Sequence, residues 1–124
     1  FTLRLIRQLS QALEKLLLGK PEESLMQKEL DFDSLMKDIF NMDFNDIASK
    51  SKEELIKIVK ERESKDHADY YEMLGNVFMF HYKIEGKLDF ADKAKTFYEL
   101  YLQTSGIFAL PIINRINELK SELK

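Results

Sequence analysis

The sequence predicts an all-α protein built from antiparallel helical hairpins, with about six helices, one of them short. Three observations predict it. Apolar residues recur at three- and four-residue steps in one segment after another. Only four Gly and two Pro occur in 124 residues, too few turn formers for an all-β fold. Hydrophobic residues make up 44% and charged residues 33%, a balance that fills one core and still covers it. The length fits a single domain over 1–124. Its expected parts are a hairpin over 1–40, a short connecting helix over 51–63, a second hairpin over 66–104 and a capping helix over 108–123.

Each element has its own signal. Leu3, Ile6, Leu9, Leu13, Leu16 and Leu17 form one apolar stripe, stopped by Gly19-Lys20-Pro21. Glu22 and Glu23 suit the first turn of a second helix, whose looser stripe is Leu25, Leu30, Phe32, Leu35, Met36, Ile39 and Phe40. Residues 41–46 read as a loop or a single helical turn. Ser51-Lys52-Glu53-Glu54 is a capping box ahead of Leu55, Ile56, Ile58 and Val59. Lys60 to Asp66 is charged enough to be a solvated connection. Between Ala68 and Ile84 the apolar and aromatic residues run nearly all round the helix, which marks it as the central, most buried one. Gly86 breaks it. Leu88, Phe90, Ala91, Ala94, Phe97, Tyr98 and Tyr101 build the next helix, closed by Ser105-Gly106. Ile112, Ile113, Ile116, Leu119 and Leu123 build the last, with Pro111 in its first turn.

Composition narrows the function classes. The net charge is −3, not the footprint of a nucleic-acid binder. The charge is uneven: residues 1–20 carry four basic side chains and one acidic, residues 21–48 eight acidic and two basic. With no Cys there are no disulfides, thiolate metal sites or Cys nucleophiles, which suits a reducing cytoplasm. The longest apolar run, Val77 to Phe80, is far short of the ~18 residues of a membrane span. The chain opens on Phe1 rather than Met, which leaves room for a removed tag or signal peptide.

Tyr71, Leu74-Gly75, Phe78, Gly86 and Ala91 resemble one tetratricopeptide unit, in which small and aromatic residues at these steps let two helices approach closely. The turn Gly comes four residues later than in that family, so the first helix is expected to be a turn longer. Lys95 stands where the family has an aromatic, and its helix-ending Pro is absent. The resemblance spans a quarter to a half of the chain. Leu3-Arg4-Leu5-Ile6-Arg7-Gln8-Leu9 also resembles the opening of a family of small uncharacterised bacterial helical proteins, which implies a bacterial, cytoplasmic chain. In tetratricopeptide arrays the first helix of each hairpin lines a binding groove. The resemblance implies partner-binding positions at Asp69, Glu72, Met73, Asn76, Met79 and Phe80. Asn76 falls where carboxylate-binding members carry Asn, but Glu72 replaces their Lys and Asp69 adds a second negative charge. A basic peptide is therefore the expected ligand.

Other chemistry is poorly served. His67 and His81 lie 14 residues apart, or ~21 Å along one helix, too far to share a metal. Asn41-x-Asp43-x-Asn45 is similar to a calcium loop, yet Asp46 and Lys52 stand where Gly and Glu are needed. Asp31, Asp33, Asp38, Glu22, Glu23 and Glu29 make an acidic helix, but no Glu is followed three residues later by His as di-iron bundles require. Nucleophile elbows, phosphate loops and dinucleotide fingerprints are missing, so no catalytic, cofactor or metal residues are assigned. The basic, amphipathic first helix fits an anionic membrane surface, against the plainer expectation that its Leu stripe packs into the domain. Three readings remain. The first is a protein–protein interaction module using the 66–104 groove or an exposed apolar face. The second is a ligand-binding or enzymatic bundle with a pocket around Phe80, Tyr82 and Tyr98. The third is a structural homodimer.

Overall fold

The computed structural model of the chain describes residues 2–19 and 32–124, and every regular element among them is helical. The helices are α1 (Thr2–Leu17), α2 (Phe32–Phe40), α3 (Phe44–Ala48), α4 (Lys52–Lys60), α5 (His67–Glu85), α6 (Leu88–Ser105) and α7 (Leu110–Glu122), with a single 3-10 turn at Ser64–Asp66. Glu22, Glu23, Leu25, Glu29, Leu30 and Asp31 of the expected second helix lie outside the described residues.

In α1 the expected stripe is the buried one: Ile6, Leu9 and Leu13 are in the core, while Arg4, Gln8, Gln11 and Lys15 face solvent. The Leu stripe is therefore spent on the domain rather than on a membrane. α2 buries Met36, Ile39 and Phe40 and ends at Asn41, whose φ of 61° is the left-handed conformation that Asn tolerates better than most residues. The segment 41–46 is more ordered than a loop. The Asp43 carboxylate accepts from the backbone N–H of Asp46 at 2.9 Å and caps the short α3. That capping explains the acid without calcium.

The capping box forms as expected. Ser51 Oγ accepts from the N–H of Glu54 at 3.1 Å, and Glu54 Oε1 accepts from the N–H of Ser51 at 2.9 Å. The helix stops at Lys60 rather than 63, because Glu61 to Glu63 have no apolar face to bury. The last helix starts at Leu110, not 108. Ala109 is extended at its N-cap and Phe108 stays outside.

α5 is the axis of the molecule. Tyr70, Tyr71 and every residue from Met73 to Met79 are buried. A helix shielded all round needs neighbours on several sides, and α1, α4 and α6 all pack on α5. α6 returns along α5 after a two-residue connection at Gly86, whose φ of 70° is left-handed. Phe97 of α6 stacks on both Tyr71 and Phe78. α7 packs on α6 through Ile112, Ile116 and Leu119.

Candidate functional site

The face of α5 expected to line a groove is covered. Met73, Asn76 and Met79 are almost wholly inaccessible, and α1 lies across this face, with Asn76 bonded to Ser10. Asp69 pairs with Arg7 of α1 at 3.5 Å, so its charge is not left free to select a basic ligand. Phe80 is half-buried in a T-shaped contact with the neighbouring His81, ring centroids 5.3 Å apart. In a tetratricopeptide array this face stays open to a ligand. Here the chain's own first helix takes the place, because an α5 that is apolar all round has to be covered on that side too. The sequence of α5 alone does not tell a ligand-facing Met from a core Met.

What α1 meets there is a polar cluster inside the bundle. The Asn76 side-chain N–H₂ donates to the Ser10 carbonyl at 3.2 Å and to Ser10 Oγ at 3.1 Å. Its Oδ1 accepts from the Tyr98 hydroxyl at 2.7 Å and from Arg115 at 3.4 Å. Arg115 is buried and grips Glu14 with both terminal nitrogens, at 2.8 and 2.7 Å. The ring of Tyr98 lies over Gly75: a Cβ at that position would sit 2.5 Å from Tyr98 Cδ1. Among the described residues every buried side-chain nitrogen and oxygen has a hydrogen-bond partner. The cluster has no unsatisfied group reaching for a ligand. It is a lock between α1, α5, α6 and α7. Tyr98, expected in a pocket, is wholly inside this lock, where burial raises its hydroxyl pKa.

Glu72 sits at the edge of the lock. Burial first, and then the like charges of Glu14 and Asp69, raise its carboxyl above the usual 4.5. A folded-state value above the unfolded one contributes stability below pH 4.5 that is lost as pH rises through the raised value. Ionised Glu72 is therefore a cost to the fold at neutral pH. Glu72→Gln is expected to raise the urea midpoint at pH 7, with the gain disappearing below about pH 4. Equal midpoints at pH 7 would show that the charge is well solvated.

The remaining singled-out groups have structural partners. His67 Nε2–H donates to the Arg62 carbonyl and His81 Nδ1–H to the Val77 carbonyl, both at 2.9 Å. A carbonyl only accepts, so each ring carries its proton on that nitrogen. His81 also stacks on Phe44 with centroids 3.7 Å apart, and burial lowers its pKa. The Lys93 ammonium is buried, donating to the Ala48 carbonyl at 2.8 Å and to Asp89 at 2.9 Å, and so ties α6 to the end of α3.

The surface feature that sequence reasoning missed is a set of exposed apolar side chains at the α6–α7 connection and at the end of α1. Phe108 is 80% exposed, and Ile107, Leu110 and Leu18 are each more than half exposed. Ala109 packs inward in an extended conformation, which turns its neighbours Phe108 and Leu110 outward together. Leu110 and Leu18 line one open hollow with Leu17, Pro111, Asn114, Arg115 and Glu118. The signal was present in Ile107-Phe108 standing between a helix-ending Gly106 and Pro111, where polar turn residues are the rule. Placing Phe108 in the first turn of the last helix concealed it.

No helix among the described residues is long and apolar enough to cross a membrane. No protein-family model matches the chain, and no curated protein or solved structure matches it.

Proposed function

We propose that the chain is a protein-interaction module, and that its contact surface is formed by the exposed Leu18, Ile107, Phe108 and Leu110. One observation carries this reading: Phe108 is 80% exposed, and Leu110, two residues on and itself more than half exposed, helps line an open hollow with Leu17 and Leu18. Single exposed apolar residues are common, but a contiguous patch of large ones marks a contact surface, because leaving it in water has a free-energy cost that only a partner removes. The tetratricopeptide-like hairpin serves here as scaffold, since α1 occupies its groove side. The expected ligands are apolar, Phe- or Leu-bearing segments rather than basic ones, given that Asp69 is already paired.

The test is selection of a random peptide library on the dilute wild-type chain, with enriched peptides then titrated against the double variant Leu18→Arg with Phe108→Asp. Enriched peptides should bind wild type at least ~10-fold more tightly, a difference of about 1.4 kcal/mol. Peptides that bind both proteins alike, or a selection that enriches nothing, would overturn a surface for foreign partners there.

A further inference from the structure

We infer that α1 is a pH-gated latch: it is held on α5 while Glu72 is protonated, and once Glu72 is ionised it opens as a unit while α5, α6 and α7 stay packed. The device lies in the seam that α1 makes with α5. Asp69, Glu72 and Asn76 follow one another at three- and four-residue steps, so they share one face of α5. Asp69 meets Arg7 and Asn76 meets Ser10, both on α1. Glu72 therefore lies half-buried against α1, between two points of contact with it.

Three observations carry it. The first is charge. The seam holds three carboxylates, Glu14, Asp69 and Glu72, against two guanidinium groups, Arg7 and Arg115. Arg7 pairs with Asp69 at 3.5 Å and Arg115 with Glu14 at 2.7 Å. Among the described residues no cation lies within ion-pair distance of Glu72. The second is what surrounds that carboxyl. Glu14 faces it from α1, Asp69 from α5 itself, Tyr98 and Tyr101 from α6, and Arg115 from α7. Arg62, beyond α4, and Asp66 of the 3-10 turn act on Tyr70 instead, about 200° round the helix from Glu72. Burial and the two like charges outweigh the Ser10 hydroxyl and Arg115, so Glu72 titrates above the usual 4.5. With the folded value raised, the hold on α1 is full below pH 4.5 and is lost as pH rises through the raised value. The third is connectivity. α5, α6 and α7 follow one another through short connections and pack in that order, α5 on α6 and α6 on α7. α1 reaches α5 only across a long stretch of chain, so it can leave without breaking those packings. Opening parts Leu17 and Leu18 of α1 from Leu110 and Pro111 of α7, so the hollow they line exists only in the latched state.

The experiment is amide hydrogen exchange on the full chain, wild type and Glu72→Gln, in steps from about pH 5 to about pH 7.5. It is read as protection factors, observed rates against intrinsic ones, so that the pH dependence of exchange itself cancels. In wild type the protection of α1 amides should fall about threefold or more across this range while that of α6 amides holds. In Glu72→Gln, which keeps the size of the side chain and cannot ionise, α1 should retain its low-pH protection throughout. Protection of α1 that stays level with pH in wild type would overturn the inference. Equal falls in α1 and α6 would overturn it too, since the whole molecule would then open rather than a latch. A pH dependence of α1 that survives in Glu72→Gln would place the titrating group elsewhere and would also overturn it.

Discussion

Gly75→Leu is expected to lower the stability of the fold by about 3 kcal/mol or more, beyond the usual range for an overpacked site. Even alanine is expected to be destabilising. In an exposed helix interior Gly→Ala gains about 1 kcal/mol of helix propensity. Here the added Cβ would lie 2.5 Å from Tyr98 Cδ1 and 2.7 Å from Cε1, well inside van der Waals contact. Whether the ring can yield decides the sign. It is fully buried, its hydroxyl is bound to Asn76, and the Arg115 guanidinium lies 5.9 Å from its centroid. The ring is held at its face and its tip, so the clash outweighs the propensity gain. Urea titration of wild type, Gly75→Ala and Gly75→Leu checks this. A Gly75→Ala midpoint at or above that of wild type would mean that Tyr98 moves aside freely.

The second large effect is expected at Asn76. Asn76→Leu keeps most of the side-chain volume and removes both its donor and its acceptor. The Tyr98 hydroxyl loses its 2.7 Å acceptor in a place closed to water, and Ser10 loses its partner. Leaving a buried hydroxyl unpaired costs ~1–3 kcal/mol, and with the lost bonds to Ser10 the total should reach about 2–4 kcal/mol. The diagnostic is the double-mutant cycle. Tyr98→Phe alone should cost about 1 kcal/mol, whereas on top of Asn76→Leu it should cost nothing or stabilise, because it removes the orphaned donor. Additive effects of the two changes would show that they do not act through their mutual hydrogen bond.

Much of the architecture is legible in the sequence because helical period and end signals are local. The α1 stripe, the Ser51–Glu54 box, the left-handed Gly86 and the burial of α5 on all sides each follow from residues within one or two turns. The polar lock does not, because its members lie up to 101 positions apart. Its traces are nonetheless present. Ser10 stands between Leu9 and Leu13 on the buried face of α1, and Arg115 between Ile112 and Ile116 on that of α7. A polar residue in phase with a core stripe has to find a buried partner. Spacing announces that need without naming the partner. The groove expectation at Asp69, Glu72, Met73, Asn76, Met79 and Phe80 rested on a likeness between hairpins. A hairpin's own residues do not reveal that a third helix of the same chain lies on it.

The ion pair of Glu14 with Arg115 has a consequence for how the molecule comes into being. During synthesis α1 emerges before the helices that it packs on, and the ionic partner of Glu14 emerges 101 residues later. The other anchor of α1, Asn76, follows Ser10 by 66 residues. The α5–α6 hairpin is the opposite case, with two helices joined by two residues, and so can close as soon as it is made. α1 therefore meets α5, its main apolar neighbour, only once the intervening residues 18–66 have been made, and gains its ion pair later still. Apolar cover for α1 thus comes before its lock: α5 is available to pack on it well before Arg115 is there to pair with Glu14.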